Sequence, residues 1–298
     1  MSDHSSILVQ SLVGKKNLPF YLQCLKSLTS FCRDKIDLLL HTDGTMRSED
    51  METAFAHFGS DFVRFYDSEE AKQTTLDHLE GHPNCQKLRR TSLWGIEFFD
   101  PLFAAPKKTI SHYIDADILF LRPFTGLFNN STVEGGAVFL RDTQWDAYCL
   151  RPWHLFGFGK HPVIVKGITT ALVCWDKRAI DWDYLEWFLS QNKFHRIPEW
   201  VMPTAQAGLA KRCQARVVSP TQLPNLYPNA SIDKETFGVH LLGSYRDEWR
   251  PKVESYAKEI PSDQSPTQVS FEPCQSRGAF AYAANQTKRW VNTRLNRW

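Results

Sequence analysis

The sequence predicts an α/β domain built on a mixed, mostly parallel sheet flanked by helices. Two observations carry that expectation. Apolar runs of strand length alternate with stretches of helical periodicity from the N-terminus onward, and polar residues collect where the apolar runs stop. Residues 7–13 read as a buried strand closed by Gly14. Asn17 stands where it can cap a following helix, Pro19 falls in its first turn, and Leu22, Leu25 and Leu28 give it an apolar face. Residues 36–40 form a second strand ended by the turn Thr42-Asp43-Gly44. A helix is expected from about Ser48 to Phe58, then a third strand over 62–66. Strands joined through helices pair in parallel with right-handed crossovers. Further along, 87–103 reads as helical, 113–114 ends a strand that 118–121 follows, and 135–140 and 170–175 are further strands. An irregular aromatic stretch spans 145–158, and helices are expected near 182–189 and 204–211. Beyond about Ser262 the chain turns polar and proline-punctuated. The expected organisation is therefore one domain over 1–260 and a basic C-terminal extension over 261–298.

The chain of 298 residues is long enough to bury a sizeable core, and 42% hydrophobic against 23% charged residues is the balance of a globular protein. A formal net charge of +2 argues against nucleic acid as the main partner. No apolar stretch approaches the roughly 20 residues that span a bilayer. Met1-Ser2-Asp3-His4 lacks the basic start and apolar core of a secretion signal. Seven scattered cysteines without a CxxC pair fit a reducing compartment, so a cytoplasmic location is expected.

The segment His112-Tyr113-Ile114-Asp115-Ala116-Asp117-Ile118-Leu119-Phe120 sets two carboxylates two residues apart at the end of an apolar strand. Residues i and i+2 of an extended chain project to one side, about 7 Å apart. Two such carboxylates repel each other and are costly to desolvate unless a cation joins them. Oxygen ligands beside a phosphate-bearing substrate suit Mg2+ or Mn2+. In open α/β sheets ligands bind beyond the carboxyl ends of the strands. Ser11, Asp43 and the Asp115/Asp117 pair are all expected at such ends.

The Tyr113–Phe124 pattern, Tyr-x-Asp-Ala-Asp-x-Leu-Phe-Leu-Arg-Pro-Phe, resembles the nucleotide-sugar glycosyltransferases of the GT-A fold. In pattern it is most similar to glycosyltransferase family 8 and its glycogenin-like relatives. The resemblance implies a Rossmann-like GT-A sheet, Asp115 and Asp117 as ligands of Mn2+ or Mg2+, and a donor diphosphate held by that metal, with a UDP-sugar favoured. A second segment, Val239-His240-Leu241-Leu242-Gly243-Ser244-Tyr245-Arg246, resembles the family's late His-x-x-Gly-x-x-Lys-Pro-Trp motif. It implies His240 as third metal ligand, Gly243 at the donor, and Arg246 on the diphosphate. Arginine for lysine keeps the charge and can grip phosphate bidentately. No proline follows, and Trp249 is displaced by one residue, so it is not carried over.

Thr204-Ala205-Gln206-Ala207-Gly208-Leu209 matches a segment in which retaining members carry glutamine beside the anomeric carbon, which implies a catalytic place for Gln206 along with Asp117. The flanking acids of that segment are Ala205 and Ala207 here. Lys87-Leu88 resembles a donor-contacting pair on the helix before the acidic motif, with Arg89 and Arg90 adjacent; a solvated basic turn is the other reading. Thr169 and Thr170 stand where the family meets the sugar. Ser11 is assigned to the nucleoside side. Asp142 and Asp146 are candidates for a base by position alone.

Trp145, Tyr148, Trp153, His154, Phe156 and Phe158 read either as a sugar-stacking acceptor platform or as a cap on the core. The acceptor is expected to be a glycan, a glycolipid or a protein. Residues 277–298 hold five basic side chains and no acid, with Trp290, Val291, Leu295 and Trp298 as an apolar side. That pattern fits a helix docked on the domain or one lying on an anionic membrane surface. Three rival readings differ in what they would require. A phosphatase would want Thr or Val where Leu119 stands. A nucleotidyltransferase would want a glycine-rich loop where Gly14-Lys15-Lys16 stands. A catalytically silent sugar-nucleotide-binding module would keep the fold without turnover.

Overall fold

A computed structural model describes residues 6–59, 63–144, 146–156, 161–195, 197–259 and 265–295. Trp145, Phe158 and Trp298, named above, lie outside them. In chain order the elements begin with β1 (Ile7–Val13), α1 (Leu18–Phe31), β2 (Ile36–Thr42), α2 (Ser48–Phe58), β3 (Val63–Phe65) and α3 (Ser68–His78). They continue with α4 (Pro83–Thr91), α5 (Leu93–Phe103), β4 (Ile110–Ile114), β5 (Ile118–Phe120), β6 (Phe124–Thr125), α6 (Asn130–Val133) and β7 (Gly136–Arg141). After β8 (Ile164–Val165) and β9 (Ile168–Asp176) come α7 (Trp182–Ser190), α8 (Val201–Ala210), β10 (Gln214–Val218), β11 (Gly238–His240) and α9 (Arg246–Glu259). The chain closes with β12 (Thr267–Gln268), β13 (Phe271–Pro273), β14 (Ser276–Arg277) and α10 (Ala279–Arg294).

The main sheet has eight strands in the order β13-β10-β7-β9-β4-β1-β2-β3. β3, β2, β1 and β4 run parallel, as their helical connections require, and so do β7 and β10. β9 runs antiparallel between β4 and β7, and β13 closes the edge antiparallel to β10. The sheet is therefore mixed and mostly parallel, as the sequence predicts. Two apolar layers cover it. On one side Val9, Leu38, Leu40 and Val138 meet Leu25 and Leu28 of α1 and Ala54 and Phe58 of α2. On the other, Phe139, Val173, Trp175 and Val217 meet Phe98, Phe99, Tyr184, Phe188 and Leu209 from α5, α7 and α8.

Local expectations are corrected in three places. The helix read over 87–103 is two helices that break at Ser92, whose backbone is extended. They pack so closely that a Cβ on Gly95 would stand 2.5 Å from the Leu88 carbonyl oxygen. Asn17 makes no side-chain cap; its Nδ2 donates to the Tyr21 hydroxyl at 3.2 Å. β1 spans Ile7–Val13 as expected, which puts Ser11 inside the strand and not at its carboxyl end.

The C-terminal segment is tied into the domain from residue 265. β12 pairs with β6, β13 with β10, and β14 with β8. Tyr282 of α10 is fully buried and donates to the Leu150 carbonyl at 2.7 Å. Gln286 donates to the Asp146 carbonyl at 3.0 Å. Asp146, with no exposed surface, receives the Gly167 N–H at 2.8 Å and faces Arg277 Nε at 2.6 Å. Removing one partner of a buried pair strands the other charge. Arg277→Ala is expected to destabilise the fold by about 3–5 kcal/mol, measured by urea denaturation; a loss below about 1 kcal/mol would show that water reaches the pair and that the tail is not held by it.

Candidate active site

The acidic pair lies at the carboxyl end of β4, where the Asp115 N–H still reaches the Ala171 carbonyl of β9 at 2.7 Å. The chain then turns and resumes as β5. β11 runs antiparallel along β5 with His240 opposite Ile118, and the Leu241 N–H donates to the Asp117 carbonyl at 3.1 Å. This small ladder sets His240 against the acids from far along the chain. One ligand atom each from Asp115, Asp117 and His240 falls within 4.8 Å of the others.

Each side chain is held from behind. The Tyr113 hydroxyl donates to Asp115 Oδ1 at 2.9 Å. His240 Nδ1 lies 2.7 Å from Asn225 Oδ1. The Asn225 amide is oriented by its own Nδ2, which donates to the Arg141 carbonyl at 2.9 Å. Asn225 Oδ1 is therefore an acceptor, His240 carries a proton on Nδ1, and Nε2 is the nitrogen that faces the acids. Nε2 stands 3.2 Å from Asp117 Oδ1, and that buried oxygen has no other partner. Arg246 at the start of α9 reaches the other oxygen of Asp117 at 2.6 Å, with its guanidinium 4.7 Å from the Phe20 ring centre.

Charge is divided unequally between the acids. Burial, with the Glu97 and Asp117 carboxylates adding to it, pushes Asp115 well above the usual carboxylate range. Burial alone would raise Asp117, but His240 and Arg246 outweigh it and hold it low. Burial alone would lower His240, but Asp117 outweighs it and raises the ring. An oxygen without another partner, a second carboxylate and an imidazole aimed at both form a donor set that fits a divalent cation such as Mn2+ or Mg2+.

The other sequence candidates separate into those near this cluster and those away from it. Gln206 of α8 is buried and receives the Trp175 indole N–H at 3.4 Å, on a small cavity that Glu97 and Tyr113 also line. Thr170 bonds Glu97. Gly243 lies in the turn before α9, where a Cβ would meet nothing within 4 Å, so the fold itself does not demand glycine there. Ser11 is fully buried inside β1 and offers no exposed atom to a nucleoside. The groups at that edge are instead Gly14 and Asp43, so close that a Cβ on Gly14 would stand 2.1 Å from Asp43 Oδ2. Lys87 is exposed on α4 and lines a surface pocket with Leu189, Asn192 and His195, apart from the acids. Arg89 is committed to Asp100 through bonds of 2.5 and 2.7 Å. Asp142 accepts from the Tyr227 hydroxyl at 2.9 Å, and buried Asp146 serves the C-terminal anchor. In the aromatic stretch Tyr148 belongs to the core, while Trp153 and Phe156 are exposed.

Sequence reasoning missed Glu97. Burial pushes its carboxyl up to about 7 against the bond from Thr170, and the Asp117 charge adds to the rise. A lone glutamate on an apolar helix face was the signal available. Asn225 was missed as well, since nothing local marks an asparagine as the support of a distant histidine.

No protein-family model matches the sequence, and no curated protein does. Solved structures match in shape. The galactosyltransferase LgtC, in complex with donor and acceptor sugar analogues, superposes with a TM-score of 0.53 at 11% identity over 87% of this chain and 98% of that one. Mouse xyloside xylosyltransferase 1, in its apo form, gives 0.52 at 11% identity over 89% of this chain and 97% of that one. This chain has the GT-A fold. The acidic pair stands at the carboxyl edge of the GT-A sheet, where a parallel α/β sheet binds its ligands.

Metal binding to this cluster must displace protons, because His240 and Asp115 both hold theirs to a higher pH than usual. Affinity for Mn2+ is therefore expected to fall as pH drops from 8 to 6, by about tenfold per pH unit for each displaced proton. Calorimetric titration checks this; a pH-independent affinity would exclude His240 and Asp115 as ligands.

Proposed function

We propose that the chain is a metal-dependent glycosyltransferase of the family 8, glycogenin-like kind, moving a sugar from a nucleotide-diphosphate donor, UDP-sugar favoured, to a saccharide, lipid-linked or protein acceptor. The observation that carries this is the meeting of Asp115, Asp117 and His240 at the sheet edge, with a guanidinium on the same cluster. The mixed donor set favours Mn2+, which takes both carboxylate and imidazole.

In this reading the three ligands hold the metal against the donor diphosphate. A bound divalent ion supplies Lewis acidity to the charge that builds on the leaving diphosphate. The chain's own residues do the rest. Arg246, preorganised between Asp117 and Phe20, turns its remaining N–H groups to the same oxygens and costs no reorganisation as charge develops. Tyr113 keeps Asp115 from rotating away, and Asn225 keeps the His240 lone pair forward. Gln206, held by Trp175, places an amide by the sugar beneath the diphosphate.

Asp117→Ala is expected to fold and to abolish metal-dependent hydrolysis or transfer of the nucleotide sugar, a fall of about 1000-fold or more. The assay is nucleoside diphosphate release with UDP-, GDP-, CMP- and dTDP-sugars, with and without Mn2+. Full activity in the variant would remove the acidic pair from the mechanism. Stabilisation by a donor with Mn2+, with no turnover on long incubation, would favour a silent binding module instead.

The acceptor side carries a second part of the proposal, peripheral contact with an anionic membrane surface. Phe280 and Trp290 of α10 and Leu295 just after it are 81%, 59% and 54% exposed, and Phe156 touches Phe280 with ring centres 5.1 Å apart. Arg294 and Lys288 flank this face, and no acid interrupts it from 277 to 295. Aromatic rings and basic side chains on one exposed face suit the interface of an anionic bilayer. Deleting the tail would also remove β13 from the sheet, so point substitutions are the cleaner test. Phe280→Glu with Trp290→Glu is expected to abolish sedimentation with phosphatidylglycerol vesicles at low salt. Equal sedimentation of the variant, or equal binding to neutral phosphatidylcholine, would refute the contact.

A further inference from the structure

Glu97 of α5 is the half-buried carboxylate that the chemistry above leaves unused. Thr170 of β9 lies near enough to oppose the rise of its carboxyl. The next residue, Ala171, receives the Asp115 N–H, so the Glu97 carboxylate lies over the sheet beside Asp115 and not out on the helix surface. Ser111, Tyr113 and Asp115 alternate along one face of β4. Ser111 and Tyr113 share the lining of a small cavity with Glu97, Trp175 and Gln206. Helix α5, strands β4 and β9, and helix α8 thus converge on one place next to the proposed diphosphate site.

A purely structural carboxylate would need a counter-charge. Among the described residues none faces Glu97: Arg89 is committed to Asp100, and Arg246 to Asp117. The charges that act across this space are themselves carboxylates, Asp117 on Glu97 and Glu97 on Asp115. A half-buried acid among like charges opposes folding, and such groups collect where a ligand is bound. Helix α8 brings Gln206 between buried Ala205 and Ala207, so amide and hydroxyl groups surround Glu97 and no other charge enters from that side.

We propose that Glu97 is a specificity-determining residue that accepts hydrogen bonds from hydroxyl groups of the donor sugar and rejects donors whose sugar carries a carboxylate. This rests on the nucleotide-sugar reading given above. A carboxylate offers two oxygens to neighbouring hydroxyl donors, and such charge-assisted bonds exceed neutral ones in strength. A hexuronate in the same place would set a second carboxylate directly against Glu97, which is selection by repulsion.

The test uses the full chain with Mn2+ and three probes, UDP, UDP-glucose and UDP-glucuronate, in thermal-shift titrations of wild type and Glu97→Gln. UDP alone is expected to bind both proteins alike. Wild type should prefer UDP-glucose to UDP-glucuronate by at least about tenfold, and Glu97→Gln should cut that preference by at least about fivefold. An unchanged preference in Glu97→Gln, or no preference in wild type, overturns the proposal while UDP binding keeps the donor reading intact. A wild type that none of the three probes stabilises overturns both. Glu97→Asp keeps the charge and must keep the rejection of UDP-glucuronate; if it loses that as fully as Glu97→Gln, charge is not what reads the sugar.

Discussion

Two carboxylates on one side of a strand end, with a third acid close by, form an electrostatic problem that the rest of this structure is arranged around. Asp115 and Asp117 cannot both be cheaply ionised while half-buried. The fold answers with one short segment of chain. β11 runs back along β5 and delivers His240, and the turn that follows delivers Arg246. Asp117 receives the imidazole and the guanidinium, which hold its carboxyl low; Asp115 has only the Tyr113 phenol, and burial holds its carboxyl high. The result is one acid held low, one held high, and an imidazole whose Nε2 faces them. A cation arriving there removes the repulsion that the apo state only partly relieves.

How legible this was depended on distance along the chain. The acidic pair and the strand that presents it were readable because both are local: alternation in an extended chain puts i and i+2 on one side whatever the fold does elsewhere. His240 and Arg246 became visible only through a motif resemblance, since no periodicity connects residues on opposite sides of so long an insertion. Glu97 and Asn225 were not visible at all. Their importance arises from which hydroxyl or ring they meet, and those meetings are set by α5 lying over β9 and by the loop before β11 folding under His240. For Lys87 the sequence leaves two readings open, a donor contact and a solvated basic turn. A basic run on a helix before the acids looked like a phosphate contact, but the break at Ser92 turns α4 toward α7, and the neighbouring Arg89 is consumed by Asp100 within the core.

The C-terminal segment shows why short elements escape a sequence reading. β12, β13 and β14 are two or three residues each, too brief for any alternation to register. Their pairing is dictated by edges that the domain leaves open, β6, β10 and β8. A run that reads as a polar, proline-punctuated extension thus closes the main sheet. The helix that follows is held on one side by Tyr282 and Gln286, which leaves its aromatic and basic side facing out. Anchoring and exposure are therefore properties of opposite faces of the same helix, and the two readings that its composition left open are compatible.

The support behind His240 carries a consequence for the whole site. Asn225 is uncharged and offers the ring nothing but direction. Its amide could face either way, and only the Arg141 carbonyl at the end of β7 decides that the oxygen turns to the histidine. If the amide were reversed, its NH2 would favour the other tautomer, and the Nε2 proton would point at Asp117, closing the space a cation needs. The state of a metal ligand thus rests on a backbone carbonyl of the main sheet, two hydrogen bonds away. The sheet therefore does more than carry the acids to its edge: through β7 it also sets which nitrogen of His240 is free to bind.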